Sequence, residues 1–182
     1  QSAMFVEVNL QGFSLIKIPG PASNTETAMN ILKQLTEGLT TYSEDETLAA
    51  AQAFAEVFPI NHTLALQGDL GAGKTTFIKG MAQAWGIEGP ILSPTYNLYF
   101  TYEGTKRNLV HLDAYRLQPE QDPEDLLIED FLTAPWCLAI EWPQNIFKLI
   151  TPETWRLKLE SRGDKYHVLQ LQVPAKVANV YH

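Results

Sequence analysis

Cysteine is almost missing. Of 182 residues only Cys137 carries a thiol, which excludes an internal disulfide framework and a cysteine-rich zinc site and fits a reducing compartment. Long apolar runs are missing as well. The longest uncharged stretch, Gly89 to Tyr102, has fourteen residues and two prolines, too short to cross about 30 Å of hydrocarbon. With no signal peptide visible, a cytoplasmic protein without a membrane span is expected. The methionine in fourth place marks residues 1–3 as expected to be foreign to the native chain. Basic side chains are scarce: 13 against 21 acidic ones leave a formal charge of −8 and a pI near 4.9. Such a surface repels phosphate backbones, so a broad nucleic-acid clamp is not expected.

What is present is a globular composition, 45% hydrophobic and 19% charged, which excludes global disorder. The length suits one compact domain with an extension. We place the boundary at residue 43, with residues 1–42 as an extension of unassigned chemistry and 43–182 as the core domain. In the extension, residues Phe5–Ile18 read as one or two short strands, and Thr25–Leu39 has helical spacing at Ala28, Ile31, Leu32 and Leu35.

Ser43-Glu44-Asp45-Glu46 reads as a capping box that opens a helix through Leu48, Ala51, Ala55 and Val57. An apolar strand at Thr63–Gln67 runs into a glycine-rich turn and then a helix from Lys74 to about Trp85, ended by Gly86. Further strands are predicted at Tyr96–Tyr102, Leu109–Asp113 and Trp136–Glu141, with a helix across Glu124–Leu132. Trp155–Ser161 and Tyr166–Val173 alternate apolar with polar around Arg162-Gly163-Asp164-Lys165, the pattern of a hairpin with one wet face. Strands alternating with helices predict an α/β fold: a mostly parallel sheet flanked by helices, finished by antiparallel edge strands.

The turn carries chemistry. Gly68-Asp69-Leu70-Gly71-Ala72-Gly73-Lys74-Thr75 matches G-x-x-x-x-G-K-[ST] at every fixed position, between the required strand and helix. A β-phosphate must be wrapped by consecutive backbone N–H groups, so Asp69 to Thr76 are expected to cradle it, glycines clearing the approach. The N-terminus of the helix adds unpaired donors and about half a positive charge. Lys74 is expected on the β- and γ-phosphates and the Thr75 hydroxyl on Mg²⁺.

Such a loop needs acidic residues at neighbouring strand ends. Two apolar runs end that way, Leu109–Asp113 and Cys137–Glu141. Asp113 and Glu141 are therefore the candidate cation ligands beside Thr75, with their individual roles open. Thr95, in Ser93-Pro94-Thr95, occupies the place of a switch threonine that senses the γ-phosphate. His111 shares a strand face with Asp113 but lacks further histidines nearby, so a packing or supporting role is expected. Between Gln118 and Asp130 stand six acidic residues and no basic one, a solvated face or a dock for a basic partner.

Four functional classes are weighed on these residues. A hydrolytic NTPase fits best. A small-molecule kinase needs an arginine-rich lid, and the chain has four arginines, Arg107, Arg116, Arg156 and Arg162, without such a lid in the pattern. A guanine-specific switch lacks its Asn-Lys-x-Asp signature, and a nucleotide-responsive scaffold is the non-enzymatic alternative.

The ordered set GDLGAGKTTF (68–77), SPTYNL (93–98), HLDAYRL (111–117) and IEWP (140–143) resembles the bacterial TsaE family, also called YjeE, over about Ser43 to Val173. The family comprises small P-loop ATPases required for threonylcarbamoyladenosine formation in tRNA. The resemblance implies a single-domain ATPase that does not bear the transferase site. It would bind ATP/ADP and Mg²⁺ and work with a TsaD-like catalytic subunit and a TsaB-like partner, touching tRNA only through that complex. It assigns phosphate and magnesium binding to Lys74 and Thr75, a metal-associated glutamate to Glu141, a Walker B-like aspartate to Asp113 and the switch threonine to Thr95. Tyr115, Arg116 and Trp142 receive supporting or partner-facing roles, and Ser43–Thr47 marks the approach to adenine. Two departures stand out. The segment before Ser43 is longer than usual, and Leu127 stands where members often carry glycine.

Overall fold

The computed structural model describes residues 5–8, 16–19, 25–94, 97–120, 122–163 and 165–174. Near the start, β1 (Phe5–Val8) pairs antiparallel with β2 (Ile16–Pro19). The main chain path then runs through α1 (Thr25–Glu37), β3 (Leu39–Thr41), α2 (Glu44–Ala55), β4 (His62–Gln67) and α3 (Lys74–Ala84). It continues through β5 (Tyr99–Tyr102), β6 (Asn108–Asp113), β7 (Trp136–Glu141), β8 (Trp155–Ser161) and β9 (His167–Gln172).

Seven of these strands form one sheet in the order β3-β9-β8-β4-β7-β6-β5. The centre is parallel: β4 lies between β8 and β7, and β7 pairs with β6. The margins are antiparallel, β5 on β6 at one side and the β8–β9 hairpin with β3 at the other. This is the α/β arrangement expected from the alternation of strands and helices.

Side-chain alternation along β6 and β7 divides the core in two. Leu109, Cys137 and Ala139 face the helices and join Phe54, Phe77, Ile78 and Trp155. Val110, Leu112, Leu138 and Ile140 face the other way and join Leu126, Ile128 and Ile146. Odd-numbered residues of both strands thus share the helix side, which brings His111, Asp113 and Glu141 to the face where α3 begins. On β8, Trp155, Leu157 and Leu159 are buried while Arg156 and Lys158 are exposed, the wet-faced hairpin of the sequence pattern.

Helix α2 starts as its residues dictate. The Ser43 hydroxyl accepts from the Glu46 amide at 3.1 Å, and Glu46 reaches back to the Tyr42 amide at 2.7 Å. Close packing of α2 on α3 needs Gly80, because a Cβ there would stand 2.6 Å from the Ala51 Cβ and 2.7 Å from the Leu48 carbonyl.

Two expectations are corrected. The core does not begin at Ser43: α1 buries Leu32 and Leu35 fully in the same cluster as α2 and α3, and β3 is a strand of the sheet. Gly38, at φ 102, turns the chain between them and ends the helix short of Leu39. No helix spans Glu124–Leu132. Two 3-10 turns, Pro123–Leu126 and Ile128–Phe131, occupy it, separated by Leu127 at φ 50. A left-handed residue breaks the helical hydrogen-bond ladder, and a stretch of like charges gives no compensating pairs along a helix face.

Candidate functional site

The loop after β4 is shaped by its glycines. Gly73, immediately before α3, sits at φ 96, a conformation that a side chain disfavours. A Cβ on Gly68 would meet the Leu159 carbonyl at 2.4 Å, so β8 presses against the start of the loop. Ala72 is fully buried and anchors the bend, whereas Leu70 stands 92% exposed at its crest.

Lys74 opens α3 and folds back over the loop. Its ammonium donates to the Gly68 and Asp69 carbonyls at 2.7 and 2.8 Å and lies 4.4 Å from the centre of the Trp142 ring. Burial takes its pKa below the ordinary lysine value, against the opposing pull of Glu141, Asp113 and Asp69.

Asp113 and Glu141 are direct partners in the parallel register of β6 and β7. Their environments differ. Glu141 is 3% exposed, and its Oε1 accepts from the Thr75 hydroxyl at 2.9 Å and faces His111 Nε2 at 2.9 Å. Burial pushes the Glu141 carboxyl upward; the bond and charge of His111, the Thr75 bond and the Lys74 charge outweigh it and hold the group below the usual carboxylate value. Asp113 is half-buried and accepts from the Ser93 hydroxyl at 3.3 Å and from the Tyr115 amide at 3.0 Å.

Lys74, Thr75, Asp113 and Glu141 line a cavity of about 350 Å³ together with Gly71, Gly73, Thr76, Tyr115, Arg116 and Trp142. Of the predicted site residues, Leu70, Gly71, Gly73, Lys74, Thr75, Thr76, Asp113 and Glu141 meet at it. Asp69 contributes its carbonyl to Lys74, and Ala72 is set in the core behind the loop. Thr95 lies outside the described residues. His111 has the supporting place expected of it: it is fully buried and holds Glu141.

Two positions carry more than their sequence suggested. Trp142 adopts φ 58 directly after β7, which turns its ring back onto Lys74 and against Tyr115 at 5.1 Å. Asn145 donates to the Ala114 and Tyr115 carbonyls at 3.0 and 3.1 Å and ties two loops together. The Trp-Pro pair after a strand was a signal for the first; nothing local announced the second.

The donor set fits a small hard cation. A hydroxyl and an ionised carboxylate in contact at a helix N-terminus suit Mg²⁺, which takes few protein oxygens and completes its shell with phosphate and water. Among the described residues there is no cluster of three or more His, Cys, Asp or Glu that could hold a metal ion.

A parallel-centred sheet with a glycine-rich loop between β4 and α3 and two acids at adjacent strand tips defines a P-loop NTPase fold. Residues 41–168 match the family model described as threonylcarbamoyl adenosine biosynthesis protein TsaE. The chain is 34% identical over 124 residues to the Bacillus subtilis tRNA threonylcarbamoyladenosine biosynthesis protein TsaE, spanning 68% of this chain and 77% of that one. With the Haemophilus influenzae protein of the same name it shares 38% over 116 residues, 60% of this chain and 73% of the relative. The crystal structure of Bacillus subtilis YdiB superposes with a TM-score of 0.60 at 29% identity, covering 75% of this chain and 84% of that one. The chain belongs to the TsaE family.

Proposed function

We propose that the protein is a Mg²⁺-dependent ATPase subunit of the machinery that forms threonylcarbamoyladenosine in tRNA. In this reading it hydrolyses ATP to ADP to drive turnover of a complex with a TsaD-like catalytic subunit and a TsaB-like partner. It meets tRNA only through them, in the cytoplasm. Among the described residues no helix is long and apolar enough to cross a membrane.

The observation that carries the reading is the contact of Thr75 with Glu141 at the mouth of the phosphate loop. Loop amides and the α3 N-terminus bind the β-phosphate. Lys74 exchanges its two carbonyl partners for phosphate oxygens, leaving the loop that it now braces. Thr75 and Glu141 would hold Mg²⁺, which would supply positive charge to offset that of the phosphates. His111 keeps Glu141 turned toward Thr75. Asp113, fixed by Ser93 and the Tyr115 amide, orients the attacking water. Burial of Lys74 and Glu141 keeps bulk water from screening their charges.

The test has two arms. Phosphate release from ATP is measured with and without candidate phosphoryl acceptors; transfer to an acceptor would establish a kinase instead, and binding without release a scaffold. In cells, depletion is followed by nucleoside analysis of tRNA, with rescue expected from the wild type and not from Lys74→Ala. Unchanged threonylcarbamoyladenosine after depletion would remove the pathway assignment.

A further inference from the structure

The cavity contains two basic side chains among its described lining, Lys74 and Arg116, against two acids, Asp113 and Glu141. Resting on the nucleotide reading above, we propose that Arg116 binds the terminal phosphoryl group of the triphosphate and stabilises the charge that develops on it during hydrolysis.

The direction of the nucleotide follows from the sheet. On one side of β4 stands β8, whose Leu159 carbonyl crowds the start of the loop. On the other stand β7 and then β6, and Thr75 is tied to β7 through Glu141. A phosphate chain held at the α3 N-terminus, beside Thr75 and Glu141 and away from the crowded β8 side, therefore extends its terminal group toward β6. Arg116 stands there, on the 3-10 turn Ala114–Arg116 that follows Asp113.

That turn is set in place rather than loose. Ala114, its first residue, and Leu117, just after it, are buried. The Asp113 carboxylate caps the Tyr115 amide, and Asn145 donates to the Ala114 and Tyr115 carbonyls. What the turn leaves exposed is Tyr115 and Arg116, and both line the cavity. A guanidinium presented from an anchored turn can take two oxygens of a phosphoryl group at once and stays charged at any working pH. In the reaction the water oxygen bonds to the terminal phosphorus as the bond to the bridging oxygen breaks. The electron pair stays on ADP, and the water proton passes to solvent. Arg116 gives up no proton; it balances charge on the equatorial oxygens.

The experiment titrates the full chain, with Mg²⁺ present, with ADP and with a non-hydrolysable ATP analogue. Arg116→Ala is expected to weaken the analogue by about ten- to a hundredfold and to leave ADP within about twofold, and Arg116→Lys to recover part of the loss. Asn145→Ala, with Arg116 intact but its turn untied, is expected to erode the same preference to a smaller degree. An unchanged preference in Arg116→Ala, or equal weakening of both nucleotides, overturns the role of Arg116 while leaving nucleotide binding standing. Failure of the unsubstituted chain to bind either nucleotide overturns the underlying reading and this inference with it.

Discussion

His111 Nε2 and Glu141 Oε1 meet at 2.9 Å in a place sealed from solvent, although the two residues lie on different strands and are not register partners. His111 pairs across the sheet with Ala139 and reaches two residues along β7 to the carboxylate. The contact leaves Glu141 with its other described partner, Thr75, on the side of the phosphate loop.

On the proposed function, His111 is accordingly a positioning residue. His111→Ala should lower kcat by about ten- to a hundredfold and raise the Mg²⁺ concentration needed for half-maximal rate, as for other outer partners of a metal-associated carboxylate. ADP affinity measured without metal should hardly move, because the loop amides and Lys74 are untouched. His111→Gln, which keeps a donor near the carboxylate, should restore part of the loss. Equal effects on metal-free ADP binding would mean that the histidine acts only on the fold.

Lys74→Ala removes the ammonium that braces the loop through the Gly68 and Asp69 carbonyls and that, on the proposed function, passes to the phosphates. With ATP at a hundredfold excess over Kd the wild type should gain about 2.7 kcal/mol, a rise in Tm of roughly 5–10 °C for a chain of this size. The variant should show no rise. Differential scanning fluorimetry with and without Mg²⁺-ATP reads this directly, and guanine nucleotides serve as the control.

Leu127 occupies the left-handed region at φ 50 with its side chain 61% exposed. Little burial is lost on removing that side chain, while a strain of about 1 kcal/mol is relieved. Leu127→Gly should therefore stabilise by up to about 1 kcal/mol in urea denaturation, less the greater freedom of glycine in the unfolded chain. Leu127→Val should destabilise.

The phosphate loop was readable in advance because its chemistry is written in contiguous residues, Gly68 to Thr75, with a strand before and a helix after. The strand-tip acids were readable because Leu109–Asp113 and Cys137–Glu141 are apolar runs that stop at a carboxylate. The expected helix across Glu124–Leu132 failed because one backbone angle at Leu127, invisible to side-chain periodicity, breaks it into two turns. The His111–Glu141 bond spans thirty positions and depends on strand register, and β3 has three residues, too few for a two-residue alternation to register.

The place of α1 in the core can be measured. Leu35 is fully buried among residues of the main cluster, so Leu35→Ala should destabilise the whole chain by about 2–5 kcal/mol in a single cooperative transition. If α1 were an appendage, the main transition would stay where it is and a separate, minor one would change.

Cys137 gives the last prediction, an alkaline one. Its thiol is fully buried on β7, and burial raises its pKa from 9.0 to about 12 against the opposing charge of Arg107. In the folded state the proton is retained up to about pH 12; in the unfolded state it leaves near pH 9. Between those values the unfolded chain binds fewer protons, so stability is whole below pH 9 and declines as pH rises, by up to about 1.4 kcal/mol per pH unit from this group. Urea denaturation followed from pH 8 to 11 should show that decline, and Cys137→Ala should flatten it while lowering the plateau by the loss of buried sulfur. At pH 8 a thiol reagent should label the native protein only at its rate of opening, and Mg²⁺-ATP should slow labelling in the wild type but not in Lys74→Ala.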